Sequence, residues 1–151
     1  GSDHYAKSVQ SGSNGFSRIV QIGDNQYALV TQSGLSADNF GSRSVVTQTG
    51  ADQRATVTQT GTHVRSALIQ SGDGHTARIT QGGGDNQSIA DQSGVGNSLT
   101  LVQGSGSGNG STITQSGAGN IANVYQYSSG NTSTITQSGS LNTATVTQGT
   151  N

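Results

Sequence analysis

Thirteen glutamines stand in phase along the chain: Gln10, Gln21, Gln32, Gln48, Gln59, Gln70, Gln81, Gln92, Gln103, Gln115, Gln126, Gln137 and Gln148. Eleven residues separate most neighbours, with sixteen between Gln32 and Gln48 and twelve between Gln103 and Gln115. A primary amide is donor and acceptor at once. Stacked in register, each such amide can donate to the glutamine on one side and accept from the glutamine on the other. An unpaired buried amide costs about 1–3 kcal/mol, so the spacing has an energetic meaning. A core ladder is expected from Gln21 to Gln148, Gln10 lying in a weaker first unit where Lys7 enters the strand and Val9 is out of phase. Asn86, Asn97, Asn109, Asn120, Asn131 and Asn142 each precede a glutamine by six residues and are expected to form a second ladder. Amide ladders of this kind belong to cross-β assemblies.

The remaining reactive side chains do not converge on a catalytic or metal site. His4, His63 and His75 occupy different phases of the repeat, and Asp24, Asp52, Asp73 and Asp85 fall between strands without a common phase. A metal site needs ligands gathered at fixed spacing, so neither a zinc nor a calcium set is expected, nor any cofactor. There is no Cys and no Glu, and no His–Asp–Ser arrangement rises above the abundant serine, so enzyme activity is not expected. Arg43, Arg54 and Arg65 recur five residues before a glutamine, and Arg43 and Arg65 would lie one coil apart. An anionic polymer, matrix polysaccharide or extracellular DNA, could bridge that pair. The tyrosines (Tyr5, Tyr27, Tyr125 and Tyr127) are not expected to form a regular stacking platform. The pairs Thr56/Thr58, Thr112/Thr114, Thr134/Thr136 and Thr145/Thr147 suggest ordered water, but Arg78, Asn123, Ile89 and Asp91 interrupt every such ladder.

The elements that position the glutamines are strands. Two residues before most of them stands an aliphatic residue: Ile19, Val30, Val46, Val57, Leu68, Ile79, Leu101, Ile113, Val124, Ile135 and Val146. In Ala55-Thr56-Val57-Thr58-Gln59, alternation puts Ala55, Val57 and Gln59 on one face and the threonines on the other. Between such segments run Gly, Ser, Asp and Asn, which tolerate tight arcs. Four residues before the glutamine, alanine and serine alternate along the chain, Leu99 alone departing. The full period is therefore twenty-two residues, one Ala-type strand and one Ser-type strand per coil. The fold class expected is an all-β solenoid with two strands per coil, its two parallel in-register sheets stacked face to face in a cross-β fibre. Residues 1–5 are read as a flank and 6–151 as a single solenoid. The five extra residues before Gln48, around Leu35 to Gly41, and the extra one within Gly104–Gly108 both fall in arcs and spare the strands.

Only 28% of residues are apolar and 4% aromatic, a composition that alone suggests disorder. The phase of the aliphatic positions argues instead for a chain that orders on stacking. A net charge of −1 offers no footprint for nucleic acid or an anionic membrane, and no apolar run is long enough for a membrane helix, so no membrane insertion is expected. All six Lys and Arg and all seven Asp lie within residues 3–91, so the uncharged remainder is expected to associate faster. Ala144–Gln148 is as regular as any internal strand, and an uncapped coil is a template for a second chain.

The repeat resembles that of curli subunits, secreted bacterial functional amyloids whose repeats read Gln-x-Gly-x-x-Asn-x-Ala-x-x-x-Gln. Gln115, Gly117, Asn120, Ala122 and Gln126 match it fully, as do Gln137, Gly139, Asn142, Ala144 and Gln148. Gln81, Gly83, Asn86, Ser88 and Gln92 match with serine for alanine. The resemblance implies a self-assembling extracellular fibre of the biofilm matrix, a β-solenoid core, and export by a dedicated secretion machinery. It also implies nucleation at the cell surface by a minor subunit. The regular, neutral ending favours the major, fibre-forming role over the nucleator; a soluble ice- or glycan-binding solenoid is the alternative of another class. In the first half Gln26, Gln53, Val64 and His75 stand at the asparagine position, so the second ladder is expected to fail there.

Overall fold

A computed structural model describes residues 1–34 and 41–149. The strand pattern read from the sequence is the pattern observed, and there is no helix among the described residues. One sheet holds seven strands: β1 (Tyr5–Gln10), β3 (Tyr27–Gln32), β5 (Arg54–Gln59), β7 (Thr76–Gln81), β9 (Ser98–Gln103), β11 (Ile121–Gln126) and β13 (Thr143–Gln148). The other holds six: β2 (Phe16–Asp24), β4 (Arg43–Ala51), β6 (Arg65–Asp73), β8 (Gln87–Val95), β10 (Gly110–Ala118) and β12 (Thr132–Ser140). Every neighbouring pair is parallel and in register, glutamine on glutamine and glycine on glycine. The chain is an all-β solenoid with two strands per coil of about twenty-two residues.

The odd-numbered strands carry alanine at the narrow inward position and the even-numbered strands carry serine. Ala55, Val57 and Gln59 of β5 are buried, and so are Ser66, Leu68 and Gln70 of β6. Burial alternates from the first residue to the glutamine of each internal strand, as a two-sheet stack requires. One coil departs from the pattern twice. Ala90 replaces the usual aliphatic residue in β8, and Leu99 replaces the usual alanine in β9; both belong to the same buried cluster. One position holds less volume than its column and the other more, and both stay sealed from solvent.

The two connections within a coil are unlike. Each even strand passes to the next odd strand through two residues, as in Gly74-His75 or Gly119-Asn120. The reverse passage takes five residues in most coils and six at Gly104–Asn109. The insertion around Leu35 to Gly41 also belongs to a long arc, though residues 35–40 and Phe40 with them lie outside the described residues. At the start, Gly1 and Ser2 follow the course of an even strand's last two residues, with Ser2 O accepting from Asn25 N at 2.9 Å, and Asp3 turns left-handed like the first residue of a short arc. The coil geometry thus extends across the 1–5 flank.

Candidate functional site

The glutamines close the inward face of every strand, and all but Gln10, Gln137 and Gln148 spend both amide hydrogens. Along the axis, Nε2 of one glutamine donates to Oε1 of the glutamine one coil further on. In the seven-stranded sheet this runs from Gln10 through Gln32, Gln59, Gln81, Gln103 and Gln126 to Gln148, at 2.6–2.9 Å. In the other sheet it runs from Gln21 through Gln48, Gln70, Gln92 and Gln115 to Gln137, at 2.8–2.9 Å. The second hydrogen crosses between the sheets to the first carbonyl of the preceding strand. Gln48 reaches Tyr27 O at 3.1 Å and Gln126 reaches Gly110 O at 3.0 Å. Because Nε2 must face that carbonyl, the amide orientation is fixed and both ladders point the same way. Ile19, Val30, Val46, Val57, Leu68, Ile79, Leu101, Ile113, Val124, Ile135 and Val146 lie beside the ladders in the core cluster, Ile19 and Val146 only partly buried.

The asparagines act differently from an amide ladder. Asn120 donates through Nδ2 to Ser116 O and Gly139 O, both at 3.0 Å, and its Oδ1 accepts from Asn142 N at 3.0 Å. Asn97 makes the equivalent bonds to Ser93 O, Gly117 O and Asn120 N. Each side chain ties its own arc to the backbone of the next one. Asn142 alone also donates to another asparagine, Asn120 Oδ1 at 3.0 Å. In the long arcs Asn86 donates to Gly82 O and Gly106 O, and Asn131 donates to Ser128 O. Asn109 follows the six-residue arc, and its buried Nδ2 has no partner.

Three departures at this position keep the clamp. His75 is fully buried; its Nε2 lies 3.0 Å from Ser71 O and its Nδ1 accepts from Asn97 N at 3.2 Å. The pair of contacts fixes the neutral tautomer with hydrogen on Nε2, an imidazole taking the place of an amide. Gln26 donates to Ile22 O and Gly50 O, and Gln53 to Thr49 O and Gly72 O. Their buried Oε1 atoms have no partner, because the longer side chain turns its oxygen away from the next backbone N–H. No asparagine ladder runs through the first half, but Gln26, Gln53 and His75 keep the bonds to backbone there, and Val64, a buried hydrocarbon, forms none. The common signal was donor capacity at a fixed place rather than one residue type.

Beneath the clamps runs a glycine column. Gly50, Gly72, Gly94 and Gly117 have φ of +121°, +113°, +102° and +104°. A Cβ on any of them would stand 2.0–2.1 Å from the carbonyl oxygen of the glycine in the next coil. The Gly in the repeat is thus demanded by both conformation and contact.

Outside the core, Arg43 and Arg65 are adjacent in register and rim an open groove over Val45, Ala67 and Ile89. Arg43 lies over the Phe16 ring at 5.0 Å, and Arg54 over Tyr27 at 4.6 Å. Tyr27 in turn stacks on Tyr5 with ring centroids 4.8 Å apart. Their spacing of twenty-two residues, one coil, was the signal for this short stack.

Residues 117–149 match the family model described as "Curlin associated repeat". That span holds the short arc before β11, the strands β11 to β13 and two of the Asn clamps. No curated protein and no solved structure matches the chain.

Proposed function

We propose that this chain is a structural, non-enzymatic subunit of a curli-like extracellular fibre, and that it adds head to tail to copies of itself in a biofilm matrix. The observation that carries this reading is the direction of the ladders. At the β12–β13 end, Gln137 and Gln148 accept from the coil below and each keeps a ladder hydrogen directed away from it. At the β1–β2 end, Gln10 and Gln21 donate inward and their Oε1 atoms accept no ladder bond. One end supplies donors where the other supplies acceptors, and such heterologous contacts propagate without closing. Backbone edges of the outermost strands add parallel pairing of the kind already made between coils.

Secretion, a surface nucleator and a dedicated export machinery come to this reading from the curlin repeat. The Arg43–Arg65 groove is the place where a matrix polysaccharide or extracellular DNA would attach. The glutamine ladder and its aliphatic neighbours carry the assembly itself. The test is to incubate freshly denatured, desalted chain at micromolar concentration, following thioflavin fluorescence and imaging the endpoint by electron microscopy. Unbranched fibres, with seeds removing the lag, are expected. A persistently monomeric β-rich protein would overturn the reading and bring forward the ice- or glycan-binding alternative.

A further inference from the structure

Equivalent ten-residue units stand at the two ends of the described solenoid. Residues 1–10 read GSDHYAKSVQ and residues 139–148 read GSLNTATVTQ. Gly1 and Gly139 belong to the glycine column, and Asp3 and Leu141 share the left-handed conformation at φ +58°. Ala6 and Ala144 occupy the narrow inward position, and Gln10 and Gln148 stand in the same ladder. The two units differ where the core needs most. The inward aliphatic position is Ser8 in the first and Val146 in the second, and the clamp position is His4 in the first and Asn142 in the second. Every residue of β1 is exposed, whereas Ala144, Val146 and Gln148 of β13 are partly buried although that strand too has only one neighbour.

Resting on the proposed assembly, we infer that β1 is a placeholder, and that residues 139–148 of one copy displace residues 1–10 of the next. Geometry favours this over simple stacking. A second copy placed with its β2 on β12 continues the even sheet in register: Ser17 on Ser133, Ile19 on Ile135, Gln21 on Gln137 and Gly23 on Gly139. Its β3 then falls on β13, with Ala28 on Ala144, Val30 on Val146 and Gln32 on Gln148. That slot beneath β3 is the one β1 holds in the isolated chain. Both strands cannot occupy it. Keeping β1 in place instead leaves the even sheet one strand short, or requires a half-turn that sets the two-residue arcs over the long ones. The half-turn fails on backbone shape, since Gly117 and Gly139 of the short arcs have φ of +104° and +90° while Gly12 and Gly34 of the long arcs are not left-handed.

Cysteine pairs on the outward face distinguish the arrangements. Lys7 lies beside Leu29 in the isolated chain, and Thr145 holds the equivalent place on β13. Neighbouring in-register strands bring Cα atoms to roughly 4.8 Å, within disulfide reach. Fibres grown from mixed Leu29→Cys and Thr145→Cys chains, then oxidised, are expected to give a covalent dimer on a non-reducing gel. Fibres from mixed Lys7→Cys and Thr145→Cys chains are expected to give none. The reverse result, or fibres giving neither dimer, overturns strand replacement while leaving the proposed function standing. Absence of fibres from the unmodified chain sinks both. A second measurement is the lag of a variant lacking residues 1–10: replacement predicts a lag several-fold shorter, and an unchanged or longer one counts against it.

Discussion

The two arcs of each coil face the same task, turning the chain from one sheet to the other, and solve it with unequal tolerance. The short arc has two residues in every coil from β2 to β13 and carries an unbroken clamp column: Gln26, Gln53, His75, Asn97, Asn120 and Asn142. The long arc absorbs both insertions, and its equivalent column reads Gly15, Ser42, Val64, Asn86, Asn109 and Asn131. Its glycines run Gly12, Gly34, Gly61, Gly83 and Gly106, then give way to Ser128. Two residues leave no slack, so each backbone group must find its partner in the next coil. Five or six residues can redirect their carbonyls to solvent, and variation is cheap there. Length is thus a device for confining irregularity to one side of the solenoid.

The sharpest way to break this contrast is to add one methyl group on each side. Gly117→Ala puts a Cβ 2.0 Å from Gly139 O at φ +104°, against backbone atoms rather than a side chain that could yield. Strain and overlap together should cost about 3 kcal/mol or more, read as a large fall in the urea midpoint of the assembled chain. Gly104→Ala, in the long arc but outside its glycine column, meets the Tyr127 ring at 3.1 Å, which can tilt, and makes ordinary contacts with backbone of Gln126 and Tyr127 at 3.6 Å. It should shift the midpoint by about 1 kcal/mol or less. Equal losses at the two sites would end the idea that the arcs differ in tolerance.

A smaller effect separates the two asparagine columns. Asn120→Ala strands Ser116 O, Gly139 O and Asn142 N, two acceptors and one donor in a tight arc. We expect a loss of about 2–4 kcal/mol from that variant, since each buried orphan costs about 1–3 kcal/mol and water can reach some of them. Asn109→Ala removes one bond, Oδ1 accepting from Asn131 N at 2.9 Å, together with an Nδ2 that was already unpaired. The expected loss is about 1 kcal/mol or less. Should Asn109→Ala prove the more damaging, the six-residue arc would be the more exacting one.

Much of this architecture was legible because it is periodic. Thirteen phased glutamines, the aliphatic positions and the Ala/Ser alternation dictate strands, coil length and the two-sheet stack, since a one-residue slip would turn every side chain over. What resisted reading was chemistry that changes letter while keeping function. His75, Gln26 and Gln53 do not look like asparagine, yet each places a donor where an arc carbonyl waits. The asparagines invited the opposite error, because their regular spacing suggests side chains bonding to each other when the nearest partners are backbone. Ala90 and Leu99 each look like lapses until the coil brings them into one cluster. Spacing reports which residues share a column; only the arc geometry says which atoms meet.

The smallest effect concerns the alternation itself. Ser44, Ser66 and Ser88 are buried on the even sheet, and their hydroxyl oxygens have no partner, whereas Ser133 Oγ reaches Ser111 Oγ at 3.0 Å. Alanine at the same place on the odd sheet shows that the narrow position needs small volume rather than a hydroxyl. Removing an unsatisfied buried hydroxyl relieves a desolvation cost, and the cavity left by one oxygen is slight. Ser66→Ala should therefore leave the urea midpoint unchanged or raise it by up to about 1 kcal/mol, with assembly no slower. A clear destabilisation would mean that the serine column is bonded along the axis throughout. The even sheet would then hold a hydroxyl ladder where the odd sheet has alanine methyl groups and Leu99.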